Sequence, residues 1–110
     1  MTTTQSTESQ NSQQSNDASS SNIVYIGRKP VMSYVLAVLT SLQATDVNEV
    51  LLKARGRAIT TAVDVAEVTR RKFMNNLQIE RVTIGTETIP QVDGSPRNVS
   101  TMEITLTLAS

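Results

Sequence analysis

The chain has 110 residues, ten Lys and Arg against ten Asp and Glu, and neither Cys nor His. That length holds one small domain, and the missing thiols and imidazoles exclude disulfides, thiolate nucleophiles, imidazole bases and nearly every zinc or copper site. Tyr25, Tyr34 and Phe73 are the only aromatic residues, too few for a base-stacking platform.

Residues 1–21 consist of Ser, Thr, Gln and Asn with Met1, Glu8, Asp17 and Ala18. Without branched aliphatic or aromatic side chains they cannot offset their ordering entropy, so a disordered tail is expected. The tail lacks the basic start and apolar stretch of a signal peptide. No later run is long and apolar enough to span a bilayer. A soluble, intracellular protein with no membrane partner is the expectation, its domain occupying residues 22–110. That domain carries ten positive and eight negative charges, a net +2. An anionic partner would therefore be held by clustered charge and not by bulk charge.

Ile23-Val24-Tyr25-Ile26 is an unbroken apolar run before Gly27, which predicts a strand buried on both faces. Pro30 suits the first turn of a helix, where its missing N–H costs nothing. Val31, Tyr34, Val35, Val38 and Leu42 then recur at helical spacing, and Met32, Leu36 and Leu39 widen the stripe, so a helix over 30–43 should be covered on much of its surface. Residues 47–55 predict a strand with Val50, Leu52 and Ala54 in one phase and Glu49, Leu51, Lys53 and Arg55 in the other. A second helix is expected over 58–73, with Ile59, Ala62, Val63, Ala66 and Phe73 as its main stripe and Val65 and Val68 on a second covered face. Asn75-Asn76 stops it.

In the third predicted strand, Leu77 and Ile79 share one phase while Val82 and Ile84 share the other, which points to a β-bulge. The last strand alternates cleanly, Met102, Ile104, Leu106 and Leu108 against Thr101, Glu103, Thr105 and Thr107. Residues 90–98 between them contain Asp93-Gly94 and Pro96, too many residues for a tight hairpin. The order β-α-β-α-β-β predicts an α/β sandwich with both helices on one face of a four-stranded mixed sheet.

Two short strings hold five of the ten cations: Ile26-Gly27-Arg28-Lys29-Pro30 at a strand-to-helix turn, and Lys53-Ala54-Arg55-Gly56-Arg57-Ala58 between a strand and the next helix. Arg28 and Lys29 read either as a solvated basic turn or as an anion site. Cations are disfavoured at a helix N-terminus unless something anionic binds, and helix-start amides would add to such a site. Lys53, Arg55 and Arg57 alternate, so in extended backbone they project to one side, with Glu49 as a same-phase ion partner if the face is merely solvated. Gly56 permits close backbone approach, but the string lacks the spacing of a phosphate-binding nucleotide loop. Arg70, Arg71 and Lys72 read as a helix end, with Glu67 three and four residues before the two arginines. Asp64 and Glu67 share a helix face, but without a metal-ligand set or histidine they make no case for catalysis.

The two basic strings, with Val31-Met32-Ser33-Tyr34-Val35, Ala62-Val63-Asp64 and Val99-Ser100-Thr101-Met102-Glu103-Ile104, resemble the archaeal Alba chromatin proteins over roughly residues 22–108. The middle string matches that family fully, whereas Arg28 stands where the family commonly has Lys. The resemblance implies a non-enzymatic homodimer, without cofactor, that coats or compacts double-stranded DNA largely independently of sequence. It implies a cytoplasmic, chromosome-associated location. Arg28, Lys29, Lys53, Arg55 and Arg57 would meet phosphates, and Arg97, on a long β-hairpin arm, would reach a groove. Phe73 would pack between neighbouring dimers, with core packing as the equal alternative. Lys29 would be the residue of the early turn open to acetylation, which makes an acetylase and deacetylase implied partners. Thr60-Thr61 and the uncharged end Thr107-Leu108-Ala109-Ser110 lack cations common in the family. RNA binding is the alternative within the family, and a weakly binding subunit that pairs with a more basic Alba paralogue is the alternative outside direct binding.

Overall fold

A computed structural model of the protein describes residues 22–44 and 47–109; the tail expected over residues 1–21 lies outside them. The elements are β1 (Asn22–Tyr25), α1 (Val31–Gln43), β2 (Glu49–Arg55), α2 (Ala58–Val68) continued by a π-helical turn (Thr69–Phe73), β3 (Leu77–Ile89) and β4 (Arg97–Leu108). They build one four-stranded sheet in the order β1-β2-β4-β3. β1 and β2 run parallel, which requires the α1 crossover, and the β2–β4 and β3–β4 pairs are antiparallel. The expected fold class is the observed one.

Both helices pack against one another on one sheet face. Val50, Leu52 and Ala54 of β2 lie opposite Leu106, Ile104 and Met102 of β4, and these positions join Tyr34, Val35, Val38 and Leu42 of α1 and Ala62, Val65 and Ala66 of α2 in a single core. The opposite sheet face has no helix on it, so residues of the other phase stay accessible. That corrects two readings. β1 is covered on one side only, because Ile23 and Tyr25 point away from the helices and are exposed. In α1, Met32 and Leu36 are exposed for the same reason: the sheet covers one stripe and no second layer covers the rest.

The buried stripe of α2 is rotated from the expected one. Val65 is fully buried and Val63 exposed, and the stripe continues to Thr69, whose hydroxyl donates to the Val65 carbonyl at 2.7 Å. The helix then loosens into the π-turn, closed by the Met74 N–H donating to the Thr69 carbonyl five residues back. Phe73 ends that turn 48 % exposed, outside the core.

The bulge in β3 is present, between Ile79 and Arg81. Its effect is geometric. Leu77 and Ile79 pair with Leu108 and Leu106, while Val82 and Ile84 pair with Ile104 and Met102, so all four lie on the helix side of the sheet. The helices do not reach that far, and Ile79, Val82 and Ile84 remain exposed, Ile84 at 73 %. Beyond them β3 and β4 continue as an arm, paired out to Ile89 and Arg97. The arm's turn is fixed by the Gly94 N–H on the Gln91 carbonyl and the Ser95 N–H on Asp93 Oδ1, each at 3.0 Å.

Candidate nucleic-acid interface

The early turn is built from its backbone outward. The Ile26 N–H donates to the Lys53 carbonyl at 2.9 Å, tying the end of β1 to β2. α1 then starts at Pro30 with no side-chain cap. The hydroxyl of Tyr34, buried in the first turn of α1, accepts the N–H of Gly27 at 2.8 Å and of Lys29 at 2.9 Å. These two amides of the turn, both before the helix start at Val31, are therefore not free to hold an anion. What the turn presents is side-chain charge. Arg28 and Lys29 are exposed, and neither has an ion-pair partner among the described residues. The first turn of α1 contains no carboxylate either.

The middle string is arranged differently. Lys53 and Arg55 project from β2 onto the open sheet face, where carboxylates already meet them. Lys53 Nζ lies 3.5 Å from Glu103 Oε2, and Arg55 Nη1 donates to Glu87 Oε1. The partners come from β4 and β3, not from Glu49 as the phase pattern suggested: Glu103 is the in-register neighbour of Lys53, closer than a residue four apart on one strand, while Glu87 reaches Arg55 diagonally over β4 from the second strand away. Gly56 ends the strand at φ +58°, a left-handed conformation that disfavours any other residue. Its N–H donates to the Ser100 carbonyl at 2.9 Å. The chain then turns, so Arg57 lies at the start of α2, exposed, and the alternation stops at Arg55. The first turn of α2 contains no carboxylate.

Arg97 stands opposite Ile89 near the end of the arm, exposed. Thr88 Oγ1 donates to Asn98 Oδ1 at 3.0 Å across the arm. Arg70 and Arg71 both donate to Glu67, at 2.8 and 3.1 Å, which lowers the Glu67 carboxyl below the ordinary glutamate range. This triad is the helix-end arrangement expected from the spacing.

A groove of about 580 Å³ opens between the two basic segments on the open sheet face. Tyr25, Lys53, Arg55, Thr101, Glu87 and Glu103 line it. The sequence reading did not single out Tyr25, Glu87 or Glu103; only the strand register brings them together. Among the described residues no cluster of His, Cys, Asp and Glu could hold a metal ion, and no helix is long and apolar enough to cross a membrane.

The family model Alba matches residues 22–86. Named "DNA/RNA-binding protein Alba", a relative from Methanococcus maripaludis is 49 % identical over 85 residues, 77 % of this chain and 96 % of the relative. One of the same name from Thermoplasma volcanium is 48 % identical, with 77 % and 93 % covered. The solved Alba structure from Thermoplasma volcanium superposes with a TM-score of 0.73 at 46 % identity, over 78 % of this chain and 99 % of that one. ALBA1 from Trypanosoma brucei superposes at 0.61 with 26 % identity, over 86 % and 74 %. With well over half its length matched by the family model and relatives near half identical, the chain belongs to the Alba family.

Proposed function

We propose that this protein is a non-enzymatic binder that coats double-stranded DNA as a homodimer, engaging phosphates largely without regard to sequence. The observation that carries this reading is the early turn: two exposed cations, unopposed by any carboxylate among the described residues, at a helix start that disfavours them. Arg57 repeats the pattern at the start of α2. Arg97 extends it along the arm, into a groove. Lys53 and Arg55 join by exchanging their carboxylates for phosphates. Dimerisation is supported by Ile79, Val82 and Ile84, which continue the core stripe of the sheet where no helix covers it. Phe73, half exposed on the π-turn, is the residue for contact between dimers. Acetylation of Lys29 would remove a free charge from the turn and weaken binding. A protein that coats DNA sits on it, so the location proposed is the chromosome, in the cytoplasm.

Binding of RNA is the second reading, favoured by the name its relatives bear. The internal pairing of Lys53 and Arg55 favours a third, a subunit that gains affinity by pairing with a more basic paralogue. One titration separates them. Affinity for duplex DNA and duplex RNA is measured against salt, with the chain alone and mixed with a basic Alba protein. A dimer engaging about six to eight phosphates gives a slope of log affinity on log salt of about −5 to −7 on DNA. A flat salt response, or binding only in the mixture, would overturn the homodimer reading, and sedimentation as a monomer at micromolar concentration would do the same.

A further inference from the structure

The open sheet face carries a ring that the binding mode above leaves idle. Tyr25 is 70 % exposed there and stands opposite Lys53 in the parallel ladder. The row continues across the sheet through Glu103 to Thr83. The next row toward the arm reads Arg55, Thr101 and Gly85. A Cβ at Gly85 would come within 3.2 Å of Thr101 Oγ1, so a side chain there would crowd Thr101, which lines the groove. Tyr25 and Glu103 are two strands apart, roughly 10 Å, about the width a flat base and its contacts occupy.

We propose that this groove receives one unpaired base of a single-stranded nucleic acid, stacked on Tyr25 with Glu103 or Glu87 accepting a hydrogen bond from its amino group. The proposal rests on the nucleic-acid reading above and adds a substrate class to it. Two aspects of the groove select this occupant. Its charges have both signs, and two carboxylates inside it must be displaced from Lys53 and Arg55 before a continuous phosphate track such as a duplex presents can settle there. A single nucleotide matches both: Lys53 or Arg55 holds its phosphate while a carboxylate, which can only accept, meets an amino group. Stacking on an aromatic ring needs a base that has left its helix. The scarcity of aromatic residues argues against a row of stacked bases and not against one. Cytosine, adenine and guanine, which carry amino groups, are favoured over uracil, which has none.

The chain has no Trp and two Tyr, and Tyr34 is buried with its hydroxyl occupied. With Tyr34 as a constant background, a change in tyrosine emission on titration therefore reports on Tyr25 and the groove. Full-length protein is titrated at fixed salt with 20-nucleotide oligo(C) and oligo(U) and with a 20-base-pair RNA duplex. Oligo(C) should quench the emission and bind several-fold tighter than oligo(U). Tyr25→Ala should weaken oligo(C) binding at least about fivefold, the low end of one stacked base, while duplex binding changes less than about twofold. Tyr25→Phe should retain oligo(C) binding. Tyr25→Leu, which keeps an apolar strand residue without a ring, should match Ala and serves if that variant fails to fold. Unchanged oligo(C) binding in the ring-less variants, or equal losses on oligo(C) and duplex, overturns the site. A wild-type chain that ignores the duplex instead sinks the duplex reading and leaves the oligo(C) comparison to decide the groove.

Discussion

The two basic segments look equivalent as strings of Lys and Arg, and the fold treats them oppositely. In the turn before α1 the amides of Gly27 and Lys29 are satisfied internally by Tyr34, and the cations have no ion-pair partner among the described residues. On β2 the cations are satisfied internally, by Glu103 and Glu87, which lie fifty and thirty-two positions along the chain from Lys53 and Arg55. Available charge is thus set by strand register and not by cation count. The distinction has a thermodynamic consequence. A phosphate landing on Arg28 or Lys29 displaces ions that gain entropy in bulk solution, whereas one landing on Lys53 or Arg55 displaces a carboxylate that stays attached to the protein.

The largest expected effect tests the free segment. Replacing Arg28 and Lys29 by Ala should lower duplex affinity by about one to two orders of magnitude on unrelated sequences. It should also flatten the salt slope by about 3 to 4 for a dimer that loses four phosphate contacts. A loss confined to one sequence would break the backbone mechanism.

The paired segment should respond with the opposite sign. Glu87→Gln with Glu103→Gln releases Arg55 and Lys53, and duplex affinity should rise about two- to tenfold with a steeper salt dependence, read by the same titration. An unchanged or weaker affinity would show that the two carboxylates do not compete with phosphate.

Tyr34→Phe removes the acceptor of two amide donors. A stability loss of about 1–3 kcal/mol is expected in denaturant unfolding. Duplex affinity should fall a few-fold in the native background and hardly at all when Arg28 and Lys29 are already Ala. Equal losses in both backgrounds would assign the hydroxyl to general stability instead.

The smallest effect belongs to Arg70→Ala with Arg71→Ala, which should change duplex affinity less than about twofold. Their contribution is to Glu67. Its carboxyl is depressed in the folded state, chiefly by the hydrogen bond from Arg70 and then that from Arg71, so its stabilisation is present above the ordinary glutamate range and is lost as pH falls through the lowered value. The double variant should lose that acid-side dependence in thermal melts. Should it damage binding more than the Arg28 and Lys29 change, the binding face is misplaced.

Periodicity made the element order legible, because Val50, Leu52 and Ala54 or Ile104, Leu106 and Leu108 alternate without ambiguity, and even the bulge was visible as a slip between Ile79 and Val82. Coverage was not legible. An apolar run such as Ile23 to Ile26 reads the same whether one layer or two lie over it, and only the arrangement of helices decides that Tyr25 meets solvent. The cations were legible as residues, and their state was not, since Glu87 and Glu103 reach them through a β3–β4–β2 register that no local spacing encodes. Tyr34 looked like one more apolar position in its helix; its hydroxyl's role depends on the path of the preceding turn.

The extra residue in β3 has a further consequence as a phase corrector. With alternation of period two, deleting Glu80 would leave Ile79, Arg81 and Val82 opposite Leu106, Thr105 and Ile104 as a regular ladder, and no position would change face. Leu77 anchors the near side in the core, so losing a paired residue beyond the bulge, such as Thr83, would instead turn the rest of the arm over: Ile84 would take the place of Thr83 on the open face, and Glu87, the partner of Arg55, would leave it. A single codon lost there would disconnect the arm's two faces from their uses while leaving the domain folded, whereas the same loss in the arm's turn would only shorten it.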